Sequence, residues 1–218
     1  MKMPFDPKHH HRRSIQLKRY DYSGPGSYFL TVCAQGKHCL FGEIRNGVMG
    51  LNEAGCMLTR WWIELPNKFP TVRADTFIAM PNHLHGILTI LGVGLDGRTF
   101  ASSAPTAASL PTVVQWFKTM TSNDYIRGVK ERGWAPFHGR LWQRNYYEHV
   151  IRDGRSLEKI REYIDTNPLR WHLHKENLQC HGTDGFDTWL DAHKTAPFPG
   201  CTTSGAHIGA PLRDGCPP

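Results

Sequence analysis

TVRADTFIAMPNHLHGILTI, residues 71–90, decides the fold class. Two runs rich in β-branched, aromatic and aliphatic residues are separated only by the turn formers Pro81 and Asn82, which predicts strands around 71–80 and 83–90. A two-residue break cannot hold the crossover that parallel strands need, so the pair is antiparallel. Working outward, SYFLTVC at 27–33 follows the turn-rich SGPG and reads as a first strand. Asn46-Gly47 between short apolar runs marks a hairpin over 43–49. Asn52 is placed to cap a helix whose apolar positions Ala54, Met57, Leu58, Trp61, Trp62 and Leu65 recur at helical spacing, with Pro66 ending it.

Downstream, a helix is predicted from Thr112 to about Arg127, with Val113, Trp116, Phe117 and Met120 on one face. LWQRNYYEHVI at 141–151 suits an extended strand. Ser156 then caps a last helix that turns Leu157, Ile160 and Ile164 inward and stops at Asn167-Pro168. Strands and helices alternate with short links, so the expectation is an α+β fold with a mainly antiparallel sheet and helices packed on it. Residues 91–110 lose all periodicity, with 13 of 20 being Gly, Ala, Ser, Thr or Pro, and read as a flexible insertion. The Gly/Pro-rich stretch 193–218 reads as a largely disordered tail.

The 218 residues, 39% hydrophobic and 11% aromatic, bury a real core and exclude disordered and fibrous classes. Continuous apolar sequence is too short for a membrane span, and MKMPFDPKHHHRRS carries no secretory signal, so the expected location is the cytoplasm. The cysteines, Cys33, Cys39, Cys56, Cys180, Cys201 and Cys216, form no C-x-x-C pair and read as reduced bystander thiols. Lys and Arg number 26 against 19 Asp and Glu, a net charge of +7. The excess is concentrated: residues 1–20 hold six basic side chains and one acidic, and 127–175 hold eleven basic and six acidic. Such patches suit a polyanion, nucleic acid first among them.

Chemistry concentrates at His83-Leu84-His85. Alternation along a strand puts both imidazoles on one face about 7 Å apart, where they can converge on one divalent ion. No HExxH motif or cysteine cluster supplies a third ligand. On the last helix, Lys159, Tyr163 and Asn167 form one stripe at four-residue spacing, so Asn167 can offer a carbonyl oxygen while Tyr163 aims at whatever the metal holds. Asn before Pro is equally a helix terminator, and a Tyr beside an apolar stripe is equally half-buried packing. An imidazole pair facing a packed core instead of a cleft would refute the site. Arg140 and Arg144 beside Trp142 can clamp and stack single-stranded bases, and Arg12, Arg13, Lys18 and Arg19 can contact a phosphate backbone.

RRSIQLKRYDYSGPGSYFLTVCAQ, LNEAGCMLTRWWIELPNKFP, AMPNHLHGIL, GRLWQRNYYEHVIRD and IREYIDTNPLRW, in that order from Arg12 to Trp171, resemble the REP-associated tyrosine transposases of the IS200-like single-tyrosine HUH group. The resemblance implies a ferredoxin-like catalytic domain over 21–175, a basic arm over 1–20 and a C-terminal extension over 176–218. It implies His83, His85 and Asn167 as ligands of Mg²⁺ or Mn²⁺, and Tyr163 as the nucleophile. Such enzymes cut and rejoin single-stranded DNA beside hairpins, repetitive extragenic palindromes among them, through a 5′-phosphotyrosine. A bacterial, nucleoid-associated protein, monomeric or homodimeric, is implied. Lys159 joins the DNA-contacting candidates. The alternative is a hairpin nucleic-acid-binding module without productive transposition.

Overall fold

The computed structural model describes residues 24–91 and 108–193. The basic arm with Arg12, Arg13, Lys18 and Arg19, all of the 91–110 insertion but its ends, and the tail after 193 lie outside them.

Four antiparallel strands form the main sheet. They are β1 (Gly26–Cys33), β4 (Val72–Met80), β5 (His83–Ile90) and β6 (Tyr147–Ile151), in the order β4-β5-β1-β6. Inserted between β1 and β4 are the hairpin β2 (Gly42–Arg45) and β3 (Val48–Leu51), then α1 (Glu53–Ile63) and the short α2 (Leu65–Lys68). The long α3 (Leu110–Arg132) joins β5 to β6, and α4 (Gly154–Thr166) and α5 (Gly185–His193) follow. The order of strands and crossing helices is the ferredoxin-like β-α-β-β-α-β arrangement, as expected. No described helix is long and apolar enough to cross a membrane.

Period-two alternation divides the sheet into two faces. Tyr28, Leu30 and Val32 of β1 and Leu84, Leu88 and Ile90 of β5 meet α1 and α3 in the larger core, with Met57, Leu58, Trp62, Val113 and Phe117 among its members. Burying each of these large side chains contributes roughly 2–3 kcal/mol. Gly86 supplies the gap that Trp62 fills, and the Trp62 indole stacks on Phe77 with centroids 4.7 Å apart. The other face carries Phe29, Ile87, His83 and His85, covered by α4, α5 and the segment between them.

Local chemistry explains most boundaries. Asn52 Oδ1 accepts from the Gly55 N–H at 2.9 Å to start α1, and Asn46 (φ 52°) with Gly47 (φ 74°) makes the tight β2–β3 turn. Four boundaries differ from expectation, the first being α1, which ends at Ile63 so that Leu65 and Pro66 open α2. Helix α3 runs on to Arg132 because Gly133 (φ 70°), not an earlier residue, ends it in the left-handed conformation. Helix α4 starts earlier than Ser156: Asp153 accepts from the Ser156 N–H at 2.8 Å and its hydroxyl at 2.9 Å, so Ser156 sits in the first turn.

The strand expected over 141–151 survives only as an isolated bridge at Trp142 and then as β6. Between them, the carbonyls of Gln143, Arg144 and Asn145 turn to Lys118 Nζ at 3.0, 3.3 and 3.2 Å instead of to a neighbouring strand. Of the cysteines, Cys33, Cys39 and Cys180 are free thiols as expected, whereas Cys56 is disulfide-bonded, which the cysteine spacing did not suggest.

Candidate metal and nucleophile site

Strand β5 begins at His83, directly after the Pro81-Asn82 turn, so both imidazoles enter the covered face at one end of the sheet. His83 Nε2 and His85 Nε2 lie 3.1 Å apart. A third imidazole closes on them: His174 Nε2 is 3.1 Å from His85 Nε2. All three residues are buried, and one ligand atom from each lies within 4.8 Å of the others.

The outer ring nitrogens are held by fixed partners. His83 Nδ1 donates to Asn82 Oδ1 at 2.8 Å. That orientation of the amide is set by Asn82 Nδ2, which donates to the carbonyls of Lys37 (3.0 Å) and Glu176 (2.8 Å). His85 Nδ1 lies 2.9 Å from the Thr31 hydroxyl. His174 Nδ1 accepts from the Glu176 N–H at 3.2 Å. Trp171 stacks on His83 at 5.9 Å and Phe29 on His85 at 5.3 Å, so the cluster is walled by aromatic rings.

Burial, reinforced by the neighbouring imidazoles and Lys175, holds His83 and His85 well below the usual histidine range. His174 is lowered to about 4, again chiefly by burial, with nearby carboxylates, Asp187 foremost, opposing. All three rings are therefore neutral at pH 7. Neutral imidazole is the form that binds a metal.

Helix α4 carries Tyr163 to the same place. Its ring lies 5.3 Å from that of His85 and 6.4 Å from that of His174, and it is 3% exposed. Phe186 of α5 covers it. Burial and the carboxylates of Asp187 and Asp184 push the phenol far above its usual value, with the nearby Asn167 amide and Arg170 opposing. Tyr163 also borders an open cavity of about 260 Å³ flanked by Lys159, Arg170 and Asp184. The helix is held to the sheet by Arg161, whose Nε and Nη2 reach Asp75 Oδ1 (3.2 Å) and Oδ2 (2.6 Å) on β4.

Asn167 is the C-cap of α4 and fully buried, and the Tyr163 phenol is the polar group beside its amide. Helix α4 stops at Asn167-Pro168 as expected, but the chain does not leave the site there. It continues as a 3-10 helix over Asn167–Leu173, and that continuation delivers Trp171 and His174. His174 was missed in the sequence, although His172-Leu173-His174 repeats the His-Leu-His pattern of 83–85. The His83/His85 pair faces neither an open cleft nor an apolar core. It faces a third imidazole and a phenol.

Among the DNA-contacting candidates, Arg140 and Arg144 are exposed and line an open cavity of about 420 Å³ beside α3. Trp142 is not available for base stacking. It is 4% exposed, stacks on Phe41 at 5.1 Å, and donates its indole N–H to Thr121 Oγ1 at 2.9 Å. Lys159 is exposed, with Nζ 4.6 Å above the Trp189 ring.

No family model matches the sequence. An uncharacterized protein of Haemophilus influenzae is 43% identical over 167 residues, which cover 74% of this chain and 91% of the relative. Among solved structures, a REP-associated tyrosine transposase bound to a REP hairpin is similar over 89% of this chain and 99% of that one, at 20% identity and a TM-score of 0.47. A candidate transposase from Deinococcus radiodurans is similar over 69% of this chain and 95% of that one, at 15% identity and a TM-score of 0.39.

Proposed function

The chain belongs to the same protein family as its Haemophilus influenzae relative, and we propose that this family is that of the REP-associated tyrosine transposases and that the chain cuts and rejoins single-stranded DNA beside REP-type hairpins. The observation that carries this reading is the convergence of a buried phenol, Tyr163, on the His83/His85/His174 cluster, with ring centroids 5.3 Å apart at His85.

In the proposed reaction, Tyr163 Oη attacks the scissile phosphorus. A P–O bond to tyrosine forms, the bond to the 3′ oxygen breaks, and that oxygen leaves as a hydroxyl. The 5′-phosphotyrosine conserves the ester, so a 3′-hydroxyl of another strand reverses the step and seals the joint. His83, His85 and His174 would hold a divalent ion, which would supply Lewis-acid neutralisation of the phosphate charge. Lys159 and Arg170 flank the cavity beside Tyr163 and offer positive charge to the entering backbone. Asn167, buried and with its amide beside the Tyr163 phenol, would lend its carbonyl oxygen to the same ion or steady the phenol. The phenol is held protonated by its surroundings, so attack requires Tyr163 to be uncovered and its proton passed on as the phosphate arrives.

The burial of Tyr163 under Phe186 favours a second reading, a hairpin-binding module that does not cleave. One experiment separates them. Labelled hairpin DNA is incubated with Mn²⁺ and the full chain, then run on a denaturing gel, with Tyr163→Phe alongside. A covalent adduct lost in the variant supports the transposase. Binding without cleavage supports the module, and cleavage that survives the substitution points instead to a phosphodiesterase using water.

A further inference from the structure

We propose that the His83/His85/His174 cluster selects a borderline transition-metal ion, of the Co²⁺, Ni²⁺ or Zn²⁺ kind with Mn²⁺ weaker, and discriminates against Mg²⁺. The inference rests on the reading of the cluster as the metal centre, and its test involves no DNA.

The spacing fits a coordinated ion. Imidazole nitrogens bind such ions at about 2.1 Å, which puts neighbouring ligands about 3.0 Å apart in a right-angled set and about 3.4 Å apart in a tetrahedral one. The two contacts to His85 Nε2 are both 3.1 Å. Without a cation the His174 contact is an N–H···N hydrogen bond, but the His83 contact is unfavourable. His83 spends its proton on Asn82 Oδ1, and the Leu30 carbonyl and Thr31 hydroxyl flank the other edge of His85, which places its proton on Nδ1. Two Nε2 lone pairs therefore face each other at 3.1 Å, shielded from water, and a cation between them removes the repulsion.

The donor chemistry decides which cation. The cluster contains three imidazoles and no carboxylate, and the nearby carboxylates are engaged elsewhere, Asp187 with Lys175 at 2.7 Å and Asp184 with Arg170 at 3.5 Å. Mg²⁺ demands oxygen ligands and retains several waters, and a neutral amide oxygen such as that of Asn167, added to three imidazoles, does not replace carboxylates. Imidazole suits Co²⁺, Ni²⁺ and Zn²⁺, and affinity rises from Mn²⁺ towards them. His174 is the least committed ligand. Its Nδ1 accepts the Glu176 N–H, so its proton rests on Nε2 and must move to Nδ1, at the expense of that contact, before Nε2 can bind.

The test is a metal titration of the full chain carrying His9→Ala, His10→Ala and His11→Ala, since that sequence run binds the same ions. After chelation and dialysis, Co²⁺ is followed by its visible absorption, and Zn²⁺, Mn²⁺ and Mg²⁺ by competition. Expected are stoichiometric Co²⁺ bands displaced by Zn²⁺, with Co²⁺ preferred over Mg²⁺ by roughly 100-fold or more. His83→Ala abolishes the bands. His174→Ala, with His174→Gln as the variant closer in size, weakens Co²⁺ binding about 10-fold and alters the spectrum. Mg²⁺ competing within about 10-fold of Co²⁺, or an unchanged Co²⁺ spectrum in folded His174 variants, overturns the inference. A DNA adduct formed with Mg²⁺ by a chain that binds no Co²⁺ would sink it and spare the proposed function. Co²⁺ held by the three histidines in a chain that forms no adduct would do the reverse.

Discussion

The phenol of Tyr163 lies flat against the ring of Phe186, with centroids 3.6 Å apart and planes 10° apart. Helix α5 is fastened over it by Lys175–Asp187, by Arg170–Asp184 and by Arg152, which donates to the His193 carbonyl at 3.0 Å. Replacing Phe186 by Ala should cost about 3 kcal/mol in urea unfolding, at the low end for a buried aromatic because α5 is peripheral. The same change should speed modification of Tyr163 by tetranitromethane, read by mass spectrometry. Unchanged reactivity would mean that Phe186 does not limit access.

The pH profile follows from the imidazoles. Burial lowers the histidines in the folded state, so their contribution is fully present above the ordinary histidine value and is lost as pH falls through the lowered one. For His174, lowered to about 4, the loss begins below about pH 6.5 and reaches the order of 2 kcal/mol by pH 5. Denaturant midpoints measured with chelator present should fall over this window, and less steeply in His174→Gln. Equal slopes would remove His174 as a cause. Tyr163 acts at the other end. Its phenol is raised, so stability is present below about pH 10 and lost above it, and Tyr163→Phe should flatten that alkaline limb.

Gly86 lies on β5 one residue past His85, where an added Cβ would collide with the Trp62 ring. Gly86→Ala should destabilise by about 2 kcal/mol, since Trp62 is wedged against Phe77 and Phe117 and has little room to retreat. Thermal unfolding of the variant with no loss of midpoint would show that the ring does give way.

Arg161 sets the height of α4 on the sheet through its two bonds to Asp75. Arg161→Lys keeps the charge but loses the fork, and should cost about 1 kcal/mol given the partial exposure of the pair. Its larger effect should fall on adduct formation, because the Tyr163 phenol sits two residues along the same helix. A variant with wild-type adduct yield would show that α4 is held in place by its apolar contacts alone.

Much of this was legible because it follows from local rules. The strands over 71–90, the Asn52 cap and the His83/His85 face are all set by neighbours within a few residues. What escaped depends on distant partners. The strand expected at 141 gives way because Lys118, far away on α3, draws the carbonyls of 143–145. Trp142 looked like a stacking platform but is claimed by Thr121 and Phe41. His174 joins the site only because a 3-10 turn winds on from Asn167 past Pro168, after α4 has ended where expected. Two features of the centre, the third imidazole and the cover over Tyr163, thus come from residues that the pattern of the last helix did not reach.

The Asn82 amide spends its whole hydrogen-bonding capacity on three segments: one hydrogen to Lys37, the other to Glu176, and its oxygen to His83. Aspartate at this position would turn a negative oxygen towards two carbonyls, and glutamine would overreach by a methylene. The smallest signature of the centre is therefore Asn-His-x-His, four letters instead of three. The first letter guarantees which nitrogen of the second is left bare, so a scan of sequences that demands it should discard chance His-x-His strands that have no means of orienting the ring.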